Sequence, residues 1–574
     1  MAGSDLIVDM LVEYGVRHLF GVCGDTSVRF YESLYQNRDR ITHILARDER
    51  SASFMADVYA RLTNRPGVCE SPSGAGALYT VPGVAEANAS SIPVLALTSG
   101  TDLATEDKGM ITELDHHVLY ESITKWSYFV KLGDKVPDVM RRAFRVATTG
   151  RPGAVHLAFP LEVMHGEVPG ADLGVYAEPA CRTFPAYRTR AEEAAVEQAA
   201  DLLVAAERPV LIAGGGVVTA GAWDELTAVA ELLSAPVGST ITGKGAVAET
   251  HPLSIGVVGD NGYRDYANDM VAEADVLLYV GCKLGSVTTV KWTLPKQAAA
   301  PTLIHVDVDP QLIGHNYPTD VALVGDARAV LADLASALRR RLGECETGRR
   351  PDTLNRIAAA RAAWWEGTKA HAGSDAVPVR PERVMAALSR VLPDTAVIVA
   401  DAGTPTPYLC AHYDVRAPGR RVIIPRAYGG LGYALPAAVG AKVARPDQLV
   451  VGLTGDGSFA MSCGELETLA RLDLPVVIVV FTNATFGWIK IAQRFASDEH
   501  YFGVDFSTLD HAAVARAFGV SGVRVERGGD LEGVLEEAIA SGKPTLVDIP
   551  IESEERLVPP VLTWRRAEQR TVAT

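Results

Sequence analysis

Short apolar runs recur along the whole chain, each closing on a turn and each followed by an Ala- and Leu-rich stretch of helical texture. That alternation predicts α/β layers built on parallel sheets. Polar and proline-bearing stretches divide the pattern into three blocks. The first, 1–180, contains "RHLFGVCGD", "GVCESPSGAGAL" and "IPVLALTSG" and runs into the stretch Glu178–Ala194. The second, 192–345, contains "RPVLIAGGGV", "ADVLLYVGCKLG" and "PTLIHVDVDP"; it gives way to "ECETGRRPDTLNR", a short helix and "HAGSDAVPVRPERV". The third, 376–552, contains "TAVIVADAG", "QLVVGLTGDGS", "LPVVIVVFTN" and "PTLVDIPI", leaving 553–574 as a tail or lid. Blocks one and three share size and texture, as though one unit were used twice. The expected architecture is three doubly wound parallel-sheet domains.

A chain of 574 residues exceeds one ordinary core, in keeping with several domains. The formal charge is 54 − 70 = −16 with no basic block, which argues against nucleic acid or an anionic membrane as partner. The longest apolar run, Leu474–Phe481, is strand length, far short of the roughly 20 residues a membrane span needs. Asp5, Asp9 and Glu13 interrupt the apolar pattern of the N-terminus, which reads as an amphipathic helix and not a signal peptide. Seven scattered cysteines without a CxxC pair indicate buried, reduced thiols and a cytoplasmic location.

The glycine-rich turns differ in what they specify. "AGGGV" in block two follows a strand but lacks the spacing of a dinucleotide turn. "HVDVDP" (His305–Pro310) ends a strand on two aspartates, which suit either a ribose hydroxyl or solvent. "VVGLTGDGS" is more specific: a buried strand enters a turn in which Gly455 and Gly457 flank Asp456, and a helix follows. Free amides at that helix start suit a phosphate, but Asp456 tolerates one only if a cation lies between them. After 483 − 456 = 27 residues the strand "PVVIVVF" returns the chain to the same sheet edge at Asn483. Asp456, Asn483 and the carbonyl of Thr485 then form an oxygen shell for Mg2+, completed by diphosphate oxygens.

These residues resemble the thiamine diphosphate-dependent decarboxylase and lyase superfamily, whose signature is G-D-G followed by an asparagine at this distance. The likeness covers nearly the whole chain. "ILARDERSASFMADVYAR" matches the family stretch that holds the cofactor-activating glutamate, here Glu49, and "SGAGALYTVPGVAEANASSIPVLALTSG" the Gly-rich loop after it. "GRPGAVHLAFPLEV" matches the end of that domain, and "YGGLGYALPAAVGA" the start of the cofactor-binding face. Thr482 departs from the pattern, which has an asparagine there. The resemblance implies a pyrimidine-binding, a middle and a diphosphate-binding domain. It implies that Glu49 promotes the tautomer of the cofactor that activates its thiazolium carbon, with a carboxyl pKa raised by burial. Leu431 would be the apolar wedge that bends the cofactor, the Gly429 carbonyl would meet its amino group, and Thr404 and Ser458 would contact the diphosphate. Glu49 and the metal loop would come from different subunits of a homodimer or homotetramer.

Within the superfamily, "TELDHHVLYESITKWS" (Thr112–Ser127) and "NATFGWIKIAQRF" (Asn483–Phe495) most resemble the 2-hydroxyacyl-CoA lyases and oxalyl-CoA decarboxylases, of the 2-hydroxyisobutyryl-CoA lyase type. That resemblance implies an acyl-CoA substrate cleaved to a ketone or aldehyde plus formyl-CoA. It also implies ADP near His305–Asp309, and Arg565 and Arg566 near CoA phosphates. His116 and His117 would carry protons, and Gln493 would stand over the reacting carbon where a lyase needs a basic glutamate. The alternatives are an acetolactate-synthase-like carboligase, which shares "ITKW" but has glutamine where this chain has Thr112, a 2-keto acid decarboxylase, and a non-catalytic relative.

Overall fold

A computed structural model describes residues 1–168, 174–296, 301–343, 350–497 and 499–573. Eighteen strands form three six-stranded sheets in which every strand pair is parallel. The first holds β1 (His18–Gly21), β2 (Thr42–Leu45), β3 (Gly67–Ser71), β4 (Val94–Ser99), β5 (Trp126–Phe129) and β6 (Val155–Phe159), in the order β2-β1-β3-β4-β6-β5. The second holds β7 (Pro209–Ala213), β8 (Val237–Ser239), β9 (Ser254–Val257), β10 (Val276–Val280), β11 (Thr302–Asp307) and β12 (Val321–Val324), ordered β12-β11-β10-β7-β8-β9. The third holds β13 (Val397–Ala400), β14 (Val422–Ile423), β15 (Val450–Gly455), β16 (Val476–Thr482), β17 (Ser521–Arg524) and β18 (Thr545–Pro550), ordered β14-β13-β15-β16-β18-β17. The first and third sheets therefore share one order, and the middle sheet has the order of a dinucleotide-binding domain. The expected three doubly wound sheets are what the chain forms.

Central strands are buried throughout: β3, β4, β6, β7, β10, β13 and β16 have no exposed position, as helices covering both faces require. The N-terminal amphipathic pattern forms the helix Gly3–Glu13, which buries Leu6, Ile7, Val8, Met10 and Leu11. The short helix expected after the middle block is instead 22 residues long, Pro351–Ala372, because its polar first turn continues the helix from Pro351. Most of the preceding polar stretch, 344–349, lies outside the described residues, as does Cys345; of the other cysteines, four are buried and Cys23 is exposed.

The first and third domains share one apolar core, formed where helix Glu49–Thr63 packs on helix Ala434–Ala444. A buried polar triad crosses that joint. The Arg61 guanidinium donates to both Asp57 oxygens at 3.0 and 2.9 Å, and the Tyr433 hydroxyl donates to Asp57 Oδ2 at 2.7 Å. Removing one partner strands the other charge away from water. Asp57→Ala should cost about 3–5 kcal/mol in chemical denaturation; a loss under about 1 kcal/mol would show that the triad does not hold the joint.

Candidate active site

Strand register makes Asp456 and Asn483 neighbours. β15 and β16 pair with Gly455 opposite Phe481, so both chains leave the sheet at one edge. Asp456, 3% exposed, opens the helix Asp456–Ala460. Its Oδ1 accepts from the Gly457 N–H at 2.8 Å, and its Oδ2 from Asn483 N–H at 2.9 Å and Ala484 N–H at 2.6 Å. Burial still pushes its carboxyl above the ordinary range.

The Asn483 side chain faces a second acid. Its Nδ2 donates to Glu554 Oε2 at 2.7 Å, and the Thr485 N–H lies 3.4 Å from its Oδ1. Glu554, 2% exposed, also accepts from the Thr404 hydroxyl. Burial pushes Glu554 up to about 6, and the charge of Asp456 adds to that rise. Asp456, the Asn483 amide oxygen and the Thr485 carbonyl are a hard-oxygen donor set, and a divalent cation relieves the repulsion between Asp456 and Glu554. Among the described residues no group of three or more His, Cys, Asp or Glu gathers as a metal site, so a cation here would draw on amide and carbonyl oxygens as well. The residues present fit a magnesium diphosphate.

The Leu431 turn is pinned from below. Gly429 (φ 70°) and Gly432 (φ 76°) take left-handed conformations on either side of it. The Gly432 N–H donates to Ser458 Oγ at 2.7 Å, and buried Asp401 Oδ1 accepts from the N–H groups of Tyr433 and Ala434 at 2.9 and 3.1 Å. Ser458 thus holds the turn that presents Leu431.

Glu49 opens the helix Glu49–Thr63, capped by Asp48, whose Oδ1 accepts from the Arg50 N–H at 2.7 Å. The half-buried Glu49 carboxylate faces the Gly-rich loop: Oε1 lies 3.1 Å from where a Cβ on Gly76 would stand. Burial, helped by the charges of Asp48 and Glu70, pushes its pKa up. Glu70 is itself buried, takes the Tyr31 hydroxyl proton donor and lies 3.6 Å from His43 Nε2. The same helix start meets the third domain of its own chain, where Glu465 Oε1 accepts from the Arg47 N–H at 2.9 Å and the Met461 carbonyl accepts from Arg50.

Other expected residues sit elsewhere. His116 is buried; its Nδ1 pairs with Thr98 Oγ1 at 2.7 Å, and that hydroxyl also meets His156 Nε2 at 2.8 Å. His117 points to solvent, so the tandem pair is divided. Gln493 does not stand free as a displaced base. Its Nε2 donates to the Phe502 carbonyl at 3.0 Å and its Oε1 accepts from the Phe502 N–H at 3.1 Å, a clamp that a glutamate could not complete. Arg565 stacks 6.0 Å over the Tyr263 ring.

His305 Nε2 donates to the Cys282 carbonyl (2.9 Å), while Asp307 lines a cavity of about 490 Å³ at the carboxyl ends of β7, β8, β10 and β11. Arg61, Arg151, Lys283, Arg420 and Arg426 also line it. Burial lowers Lys283 to about 8. The sequence reading missed Glu554, Glu70 and Asp401. Asp401 and Glu70 stand at or just past strand ends, a position that could have flagged them; Glu554 carried no such signal.

Three segments match described domains of thiamine pyrophosphate enzymes: the N-terminal TPP binding domain over 1–119, the central domain over 196–334 and the C-terminal TPP binding domain over 401–549. A probable acetolactate synthase large subunit of Methanocaldococcus jannaschii is 35% identical, with 98% of this chain and 94% of that protein covered. Acetolactate synthase isozyme 3 large subunit of Escherichia coli K12 is 31% identical over 97% and 96% of the two chains. Acetolactate synthase of Mycobacterium bovis is 31% identical over 98% and 90%. The chain belongs to the thiamine pyrophosphate enzyme family, and is an enzyme dependent on that cofactor. These relatives overturn the acyl-CoA lyase expectation, and with it the formyl-CoA product. ADP likewise gains no support from them. No helix among the described residues is long and apolar enough to cross a membrane.

Thiamine diphosphate with Mg2+ at about 100 times its Kd should stabilise the wild type by about 2.7 kcal/mol, and Asp456→Ala should show no such gain. Equal stabilisation of the variant in thermal unfolding would remove Asp456 from the cation site. A second outcome concerns pH. Burial lowers His116 to about 4 and also holds His156 well below the ordinary imidazole value. Between about 6.5, the ordinary value, and about 4, the unfolded chain binds protons there that the folded chain refuses. Stability is therefore lost as pH falls through that window. His116→Gln should reduce the loss between pH 7 and pH 5 in urea titrations; an unchanged difference would rule the histidine out.

Proposed function

We propose that this chain is an acetolactate-synthase-like carboligase, joining two 2-keto acids with loss of carbon dioxide and giving acetolactate when both are pyruvate. The observation that carries the reading is identity of 30–35% with acetolactate synthase large subunits along nearly the full chain. Bound thiamine diphosphate supplies a nucleophilic carbon and a sink for the electrons released with carbon dioxide. The chain's own residues bind, bend and protonate. Asp456, Asn483 and the Thr485 carbonyl hold Mg2+ against the diphosphate, at helix starts whose N–H groups favour anions. Leu431, on a turn fixed by Ser458 and Asp401, would give the apolar bulk against which the cofactor is held. Glu49, its carboxyl raised by burial, holds a proton at the pyrimidine ring nitrogen. The cation-lined cavity at the switch point of the middle sheet is suited to a phosphate-bearing nucleotide.

The working unit proposed is a homodimer, extended to a tetramer, with Glu49 of one subunit serving the metal loop of another. Support comes from exposed apolar side chains in the segments that follow β3 and β4: Leu78 and Tyr79 in the helix Ala75–Ala89, Met110 and Ile111 in a loop, and Val118 in the helix His116–Glu121.

Pyruvate offered to the enzyme with thiamine diphosphate and Mg2+ should yield acetolactate and carbon dioxide in equal amounts, by mass spectrometry and gas trapping. Acetaldehyde alone would make it a decarboxylase, and no product would reject the reading. Mixing inactive Glu49→Gln and Asp456→Ala subunits should restore activity to a fraction of sites; a mixture as inactive as its components would place the whole site in one chain.

A further inference from the structure

The chain does not end its work at the last strand. Beyond β18 a strap, residues 551–561, leaves the third domain, crosses the helix Gly487–Ala496 and reaches the middle domain. There Gly262 N–H donates to the Pro560 carbonyl, Leu562 N–H to the Asp260 carbonyl, both at 2.8 Å, and Thr563 N–H to Asp260 Oδ1 at 2.8 Å. The strap is pinned on the way: Lys490 Nζ lies 3.0 Å from Glu555 and 2.9 Å from Asp505, and Trp564 packs on Trp488 with centroids 4.4 Å apart. Just before the first of these anchors Glu554 turns inward, the buried one of the strap's three acids.

Its surroundings are specific. Glu554 Oε2 accepts from Asn483 Nδ2 at 2.7 Å and its Oε1 accepts from the Thr404 hydroxyl. A Cβ on Gly487 would stand 2.1 Å from Oε2, so the glycine leaves the space that the carboxylate fills. An ionised carboxylate only accepts hydrogen bonds, so it can meet the Asn483 amide only at nitrogen. That fixes which end of the amide is which: Nδ2 is held by the strap and Oδ1 is turned away from Glu554. A neutral amide free to flip would present nitrogen or oxygen to a cation, and only oxygen binds a hard one.

We infer that Glu554 is a positioning residue of the cation site, carried in from the C-terminal strap to lock the Asn483 amide with its oxygen toward the metal. The inference rests on the proposed magnesium diphosphate site and adds a residue to it. Outer-sphere partners that orient a ligand typically change metal affinity about 10–100-fold when removed.

The test is calorimetric titration of Mg2+ into enzyme in the presence of excess thiamine diphosphate, for wild type, Glu554→Ala, Glu554→Gln and Gly487→Ala, with thermal unfolding of each protein before metal is added. Glu554→Ala should weaken Mg2+ about 10–100-fold and flatten the preference for Mg2+ over Ca2+, while the metal-free melting temperature stays close to wild type. Glu554→Gln, which keeps an oxygen to face Nδ2, should recover most of the affinity. Gly487→Ala displaces the carboxylate without removing it and should resemble Glu554→Ala, which keeps the test open if that variant fails to fold. Wild-type Mg2+ affinity in Glu554→Ala or in Gly487→Ala would overturn the inference while leaving the metal site standing. A wild type that binds no Mg2+ would overturn the site itself.

Discussion

A carboxylate buried at the carboxyl ends of two adjacent parallel strands sets the terms for everything around it. Asp456 surrenders most of its hydration, and three backbone N–H groups repay part of that cost. Two of those donors, at Asn483 and Ala484, exist only because β16 ends opposite the end of β15. A slip of one residue would bring Thr482 to the place of Asn483 and turn every side chain of β16 to the other face. Thr482 is instead tied beneath the site, where its hydroxyl donates to buried Asp548. The uncompensated share of the charge is what a divalent cation answers, and the cation in turn makes a diphosphate tolerable beside an acid.

The first and third domains, alike in strand order, meet through helices Glu49–Thr63 and Ala434–Ala444, and each offers the carboxyl-end loops of its sheet to cofactor chemistry. The middle domain has a different order and places its cavity at the point where that order reverses. The strap that carries Glu554 joins the metal loop to this middle domain through Asp260. The Asn483 loop and the packing of the middle domain on the third are thus physically connected through one short segment.

How much of this was legible depended on distance along the chain. The Gly455-Asp456-Gly457 turn and the 27-residue return to Asn483 are local, and strand and turn chemistry write them directly into the sequence. Glu554 lies 554 − 483 = 71 residues from its partner, and no spacing rule encodes a contact made by a strap returning after the last strand. Gln493 read as an amide in the place of a basic glutamate because its partner, the Phe502 backbone, leaves no side-chain signature. The branch of the family was misread for a related reason. The motifs near the metal and at Glu49 serve a cofactor shared by many reactions, so they fix the cofactor and not the acceptor. In Thr112–Ser127, His116 and His117, adjacent in sequence, ended up one buried and one exposed.

The claim at the centre is that a cation sits between Asp456 and Asn483. Crystals grown with thiamine diphosphate and Mn2+ in place of Mg2+, measured on both sides of the manganese absorption edge, address it without reference to activity. An anomalous peak within about 2.0–2.3 Å of an Asp456 oxygen and of Asn483 Oδ1 is the expected result, that range bracketing magnesium-like oxygen coordination. A peak elsewhere, or a diphosphate bound with no peak beside Asp456, would contradict it.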